Sequence, residues 1–292
     1  MRFTVTEKIF EKFPDAKFGV LIIEGLSNKN NIKEIEDALN EEVMQAKNKF
    51  AAKSIELLPQ IKEWRKVFDK LGLSNDFLPS HESLLKRALG NKGIPSINSL
   101  VNIYNIFSLR HLIPVGGHSF DNLDEIRIDE TSGEETFQTM NSNEIIKVSS
   151  SEIAYLSGNK ILTRNFVWRQ SDTSKIDENT TKVFIPLDDV SGRFSKKELE
   201  KIAKELASYI ITALGGKAVF TVVDSFNHEI NSSELPEFET EKLAFRKYPK
   251  IITDEKVIDD LLTRGISGIL PDKESFKKLL MSGKRIKIFE GF

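Results

Sequence analysis

The chain has no cysteine among its 292 residues. Disulfides, thiol nucleophiles and cysteine-based zinc or iron–sulfur sites are therefore excluded, and a small secreted scaffold is disfavoured. An intracellular, cytoplasmic protein is the expectation. Histidine is scarce as well: His81, His111, His118 and His228 are scattered without ligand spacing, so no metal site is expected. There is no Walker loop, GxGxxG, HExxH or GxSxG. Nucleotide hydrolysis, a Rossmann cofactor, a zincin and an elbow-serine hydrolase all lose their main support, and no cofactor is expected. No run of 18 apolar residues occurs, so a soluble protein with no membrane partner is expected. A net charge of −2 with 29% charged residues gives no global nucleic-acid signature. DNA is not expected, and an RNA partner would need a local basic surface.

What is present begins with length. A chain of 292 residues can bury a real core and is long enough for one large or two modest domains. FGVLIIEG (18–25) reads as a buried strand closed by glycine. Ile32, Ile35, Leu39, Val43, Ala46 and Phe50 keep helical spacing behind Asn30 or Asn31 as a cap. Helices are also expected over 61–71, closing at Gly72, and over SHESLLKRAL after Pro79. From about 122 to 187 short β-rich pieces alternate with Asn, Ser, Gly and Asp clusters. Ser195 and Glu198 form a capping box ahead of an apolar stripe running to Gly215-Gly216, and the strand AVFTVVD follows. Past Asp224 the composition shifts, and residues 225–256 read as a linker or arm. Two short helical patterns then run through Val257, Leu261, Leu262 and Phe276, Leu279, Leu280.

The densest chemistry lies in GIPSINSLVNIYNIFSLRHLIPVGGHSFD (93–121). Ile97, Leu100, Val101, Tyr104 and Leu109 predict a helix capped by Asn98 and ended by Pro114, Gly116 and Gly117. Adjacent glycines let backbone approach a ligand or another chain closely, and His118 follows them directly. In a loop, that histidine is either functional or a hydrogen-bonded surface residue. Asparagine is a poor helix former, so Asn102 and Asn105 suggest either work for their amides or the satisfaction of buried backbone.

A second cluster, TRNFVWRQSDTSKIDENTTKVFI (163–185), gathers Arg164, Trp168, Arg169, Gln170 and Asp172. Read as one strand, it puts Arg164, Phe166 and Trp168 on one face. Arginine beside an aromatic suits the end of a nucleic acid, phosphate on guanidinium and base on ring. A core tryptophan with arginines in ion pairs fits the composition equally well.

HESLLKRALGNKGIPSINSLVNIYNIFSLRHLIPVGGHSFD followed by RNFVWRQSDTSKIDENTTKVFI resembles the B3/B4 domain, the tRNA-editing module of the phenylalanyl-tRNA synthetase beta subunit, also found as free-standing proteins. The likeness covers about residues 55–223. It implies an α+β fold, with a central mostly antiparallel sheet flanked by helices and followed here by a C-terminal helical extension. It also implies hydrolysis of the ester joining a wrong, aromatic amino acid to the 3′ end of tRNA. By position, VNIYN matches a VDITN segment that lines the family's pocket, placing Tyr104 and Asn105 there, and GGHSFD matches LHAFD, placing His118 on the pocket histidine. RQSDTSKI matches a glycine-glycine-glutamate loop, placing Asp172 near the glutamate that reads the amino acid. On this resemblance His118 and Asn105 are the catalytic candidates; Tyr104, Asp172, Gly116, Gly117 and Gln170 bind substrate; and Arg164, Trp168 and Arg169 meet tRNA. Tyrosine in place of threonine and aspartate in place of glutamate set this chain apart from the pattern, so the amino acid removed need not be tyrosine. The alternative is a tRNA-binding or docking module with a degenerate pocket.

LLTRGISGILPDKESFKKLLMSGKRIKIFEGF, at the end, resembles the start of bacterial tyrosyl-tRNA synthetases and stops before the ATP-binding motifs begin. The expected organisation is an editing-like domain over 1–224, a linker or arm over 225–256 and a synthetase-like fragment over 257–292. A synthetase module in the same or a partner chain is expected with it.

Overall fold

The computed structural model describes residues 1–240 apart from Asn30. The chain divides into two compact units, Met1–Ala244 and Phe245–Phe292. The second unit, with the expected C-terminal helices and the synthetase-like segment, lies outside the described residues. Among the described residues no helix is long and apolar enough to cross a membrane.

The first unit is α+β, built as two mostly antiparallel sheets and a helical layer. Its N-terminal part runs β1 (Arg2–Val5), α1 (Glu7–Lys12), β2 (Lys17–Glu24), α2 (Lys33–Phe50), α3 (Pro59–Lys70), α4 (Ser80–Leu89) and α5 (Ser99–His111). A strand-rich stretch follows with β3 (His118–Ser119), β4 (Glu125–Glu130), β5 (Thr136–Gln138), β6 (Ile145–Lys147), β7 (Ile153–Ser157), β8 (Lys160–Arg164) and β9 (Arg169–Gln170). The last elements are β10 (Lys182–Asp189), α6 (Lys196–Leu214), β11 (Lys217–Asp224) and β12 (Glu229–Asn231).

The larger sheet has the order β12-β1-β4-β7-β8-β5-β6, with β9 paired to β8; β1–β4 and β5–β8 are its parallel pairs. The smaller sheet, β11-β2-β10-β3, is antiparallel throughout. Thus the expected central sheet is realised as two. Phe3, Val5, Ile126, Ile128 and Tyr155 of the larger sheet meet Phe18, Val20, Ile22 and Phe184 of the smaller in one apolar cluster. β2 is buried along nearly its whole length because its other face is covered by α6. That explains why it reads as an unbroken apolar run instead of an alternation. Beyond α6, a second cluster of Val43, Phe50, Leu85 and Leu109 joins α2, α4 and α5.

Local signals explain most boundaries. Asn98 caps α5 by accepting from the Val101 N–H at 3.0 Å, and Ser195 and Glu198 close their reciprocal box on α6. The cap expected of Asn30 or Asn31 differs: Asn30 is outside the described residues, and α2 starts after Ile32 with no side-chain cap. Ile97 precedes α5 and is exposed, so it is no part of that helix's apolar face. Residues 225–240, expected to leave the globule, instead carry β12, which pairs with β1. Phe238 follows, its N–H donating to the Ala218 carbonyl at 2.7 Å and its ring 5.3 Å from that of Phe220. The polar composition of 225–240 reflects an edge strand, half exposed to water.

Candidate functional site

The backbone after α5 is shaped by three devices. Leu112 takes a left-handed conformation (φ 50°), ending the helix, and Ser108 Oγ donates to the Ile113 carbonyl at 2.8 Å. Val115 and His118 then pair with Leu187 and Phe184 of β10, a register that sets Gly116 opposite Pro186. Proline has no N–H to give, so the ladder opens there. Gly117 is held tightly: a Cβ would come within 2.6 Å of Ile176 Cδ1 and 3.1 Å of Tyr104 Cε1. Its carbonyl accepts from Gln170 Nε2 at 2.7 Å. At Gly116 a Cβ would meet nothing within 4 Å.

The second cluster is not one strand. β8 stops at Arg164, Asn165 and Phe166 turn the chain with positive φ (45° and 58°), and Arg169 returns antiparallel to Arg164. This corrects the expected sharing of a face by Arg164, Phe166 and Trp168. A bulky side chain at positive φ is strained. Phe166 is held there by complete burial among Phe13, Phe18 and Trp64. Trp168 remains partly exposed, with the guanidinium carbons of Arg164 and Arg169 5.1 and 5.8 Å from its ring.

The two segments meet at a cavity of ≈ 210 Å³ between the sheets. Tyr104, Asn105, Gly116, Gly117, His118, Trp168, Arg169 and Gln170 all line it. Two anticipated residues do not. Arg164 makes a bidentate pair with Glu152 at 2.8 and 2.7 Å, both side chains mostly buried. Asp172 accepts from the Asn141 N–H at 2.9 Å and sits 3.8 Å from Lys175 Nζ. The reason is the single 3₁₀ turn Asp172–Ser174, which Ser171 caps: it directs Asp172 away and brings Ser174 in against His118. Asn102 lies behind the site. Its Oδ1 accepts from the Ile97 N–H and its amide donates to Ser96 Oγ, which satisfies local backbone.

His118 is 3% exposed. Burial drives its imidazole down to about 3, so it is neutral at physiological pH. Nδ1 lies 2.8 Å from Ser174 Oγ, while Nε2 has only a long 3.4 Å contact with Thr163 Oγ1. Nε2 is thus the freer nitrogen. Burial raises the Tyr104 phenol, and its hydroxyl has no hydrogen bond among the described residues.

Sequence reasoning missed Tyr155 and Asp188, which also line the cavity. Tyr155 donates its hydroxyl hydrogen to Asp188 Oδ1. Burial lifts the Asp188 carboxyl to about 7; the Tyr155 hydrogen bond opposes this and the charge of Asp189 adds to it. The available signal was two aspartates closing an otherwise apolar strand, with Phe184, Pro186 and Asp188 on one face by alternation.

Fold and site together define an α+β domain with a small, mainly apolar pocket carrying a few polar groups, at the junction of two packed sheets. A family model described as the B3/4 domain matches residues 63–209, and the chain belongs to that family. Among solved structures, it is similar to an N-terminal fragment of the phenylalanyl-tRNA synthetase beta subunit from Pyrococcus horikoshii, at 15% identity and a TM-score of 0.36. The alignment covers 99% of this chain and 66% of that one, so the chain spans just under two thirds of that fragment's length. No curated protein matches it in sequence.

Proposed function

We propose that this chain is a tRNA-binding editing domain that hydrolyses the ester of a mischarged, aromatic amino acid on tRNA. The observation that carries this reading is the convergence of Asn105, Gly116-Gly117, His118 and Gln170, from two distant segments, on one cavity. At ≈ 210 Å³ it is smaller than the roughly 300–1,000 Å³ typical of pockets for drug-sized ligands. That scale suits one amino-acid side chain better than a nucleotide.

In the proposed reaction water adds to the ester carbonyl and the carbon–oxygen bond to the terminal ribose breaks. Free amino acid leaves, and the ribose hydroxyl takes the proton. Neutral His118 orients the water or the ribose through Nε2, and the Asn105 amide fixes an oxygen, so positioning and fixed dipoles supply the rate. Trp168 and Arg169 at the rim receive the terminal base and a phosphate. Arg164, paired with Glu152, supports their turn, and Asp172, outside the lining, is assigned no contact with the amino acid. Residues 257–292 are proposed to be a synthetase-like segment.

The test is release of amino acid from a panel of mischarged tRNAs. Asn in place of His118 should slow release at least tenfold without unfolding the domain; an unchanged rate removes His118 from the site. One observation favours the alternative of a binding module with a degenerate pocket: the Tyr104 ring packs against Gly117 and occupies part of the space beside it. That reading expects salt-dependent binding of uncharged tRNA and no deacylation.

A further inference from the structure

Asp188 is 3% exposed and lines the cavity, yet no lysine, arginine or histidine pairs with it among the described residues. One carboxylate oxygen takes the Tyr155 hydroxyl; the other, Oδ2, has no hydrogen bond there. A buried carboxylate without a cationic partner is costly, and a structural one is normally satisfied on both oxygens. Its neighbour shows the contrast. Asp189 accepts from Ser191 Oγ and from the Arg193 and Phe194 N–H groups at 3.0, 3.0 and 2.7 Å, closing the turn into α6. Asp189 is thus spent on the fold and Asp188 is not.

We propose that Asp188 is the counter-ion for a protonated amine: the cavity's ligand carries an ammonium group, which Oδ2 receives while Tyr155 fixes the other oxygen. The groups facing Asp188 fit this assignment. Tyr155, His118 and Tyr104, from β7, β3 and α5, are uncharged, and Asp189 adds negative charge from β10 itself. Arg169 lines the same cavity but is exposed at the Trp168 ring and forms no ion pair with Asp188. One carboxylate beside a phenol is too thin a donor set for Ca²⁺ or Mg²⁺, which take six or more oxygens, several of them from protein or substrate. An ammonium needs one charge and a few acceptors.

This deepens the editing reading and rests on it in one respect: an aminoacyl ester carries its α-ammonium one carbon from the scissile carbonyl. Esters whose nitrogen is acylated, as in peptidyl-tRNA, would then be refused, because the amide has no charge to offer a buried carboxylate.

The experiment uses the full 292-residue chain. Binding is measured by titration calorimetry for amides of the twenty standard amino acids and for their N-acetyl counterparts, with the wild type and Asp188→Asn. A charge-assisted hydrogen bond in a buried site predicts that at least one free amine binds roughly 10- to 100-fold tighter than its acetylated form, and that Asp188→Asn removes the preference. The proposal is overturned if no free amine is preferred, or if Asp188→Asn keeps the preference. Should that variant fail to fold, the ¹³C resonance of the Asp188 carboxyl in the wild type decides: it moves on adding the amine, or the assignment is wrong. Deacylation assays on free and N-acetylated aminoacyl-tRNA separate the two readings. No deacylation with the amine preference intact removes the editing reaction alone, and equal hydrolysis of both esters removes the amine site alone.

Discussion

Tyr155, on one sheet, donates its hydroxyl hydrogen to Asp188 on the other, so a buried hydrogen bond joins the two walls of the cavity. Burial holds the Asp188 carboxyl at about 7 against an ordinary 3.8. A carboxyl raised in the folded state contributes full stability below its unfolded value and loses it as pH rises through the folded one. Wild-type stability should therefore fall between about pH 4 and 7 relative to Asp188→Asn, by up to roughly 4 kcal/mol at about 1.36 kcal/mol per pH unit, and level off above pH 7. Urea melts of both proteins across that range check this; parallel curves would contradict it.

For the buried histidines the sign reverses. Burial holds His81 and His111 at about 4 and His118 at about 3. The unfolded chain takes up protons near 6.5, so stability is lost as pH falls below that value. Neither ring nitrogen of His81 has a hydrogen bond among the described residues. Its replacement by Phe, which keeps a ring beside Trp64, should flatten the acid limb between pH 4 and 6.5.

The two glycines before His118 should respond oppositely. Gly117→Ala drives a methyl into Ile176 and Tyr104 and should cost about 1–3 kcal/mol while distorting the pocket. Gly116→Ala meets nothing and should melt near the wild type, though it narrows the opening where ligand would sit. Thermal melts paired with ligand titration distinguish the two effects.

The arginines around Trp168 should separate as well. Arg169→Ala should weaken tRNA binding and lower the salt slope by about one, leaving stability within 0.5 kcal/mol. Arg164→Ala strands Glu152, whose side chain is 11% exposed, and should destabilise by about 3 kcal/mol. Binding isotherms at several salt concentrations, beside melts, read both outcomes.

The elements were legible where local chemistry decides them. Asn98 and the Ser195–Glu198 pair cap their helices as their spacing indicated, and the apolar run 18–23 is a strand buried on both faces. What could not be read depends on partners distant in sequence. β12 exists because β1 offers an edge, and the turn at Asn165–Phe166 exists because Phe166 is captured by Phe13, Phe18 and Trp64. The site divides the same way. His118 and Asn105 were visible as polar groups on a helix and behind a glycine turn. Asp188 and Tyr155 were hidden inside apolar strands, and only the packing of one sheet on the other brings them together.

The most direct test is deacylation. The full chain is mixed with tRNAs mischarged with phenylalanine, tyrosine and tyrosine isomers, and release of the amino acid is followed with time. The expected result is hydrolysis of at least one of these esters, slowed at least tenfold by His118→Asn. A folded protein that hydrolyses none of them would contradict the editing function.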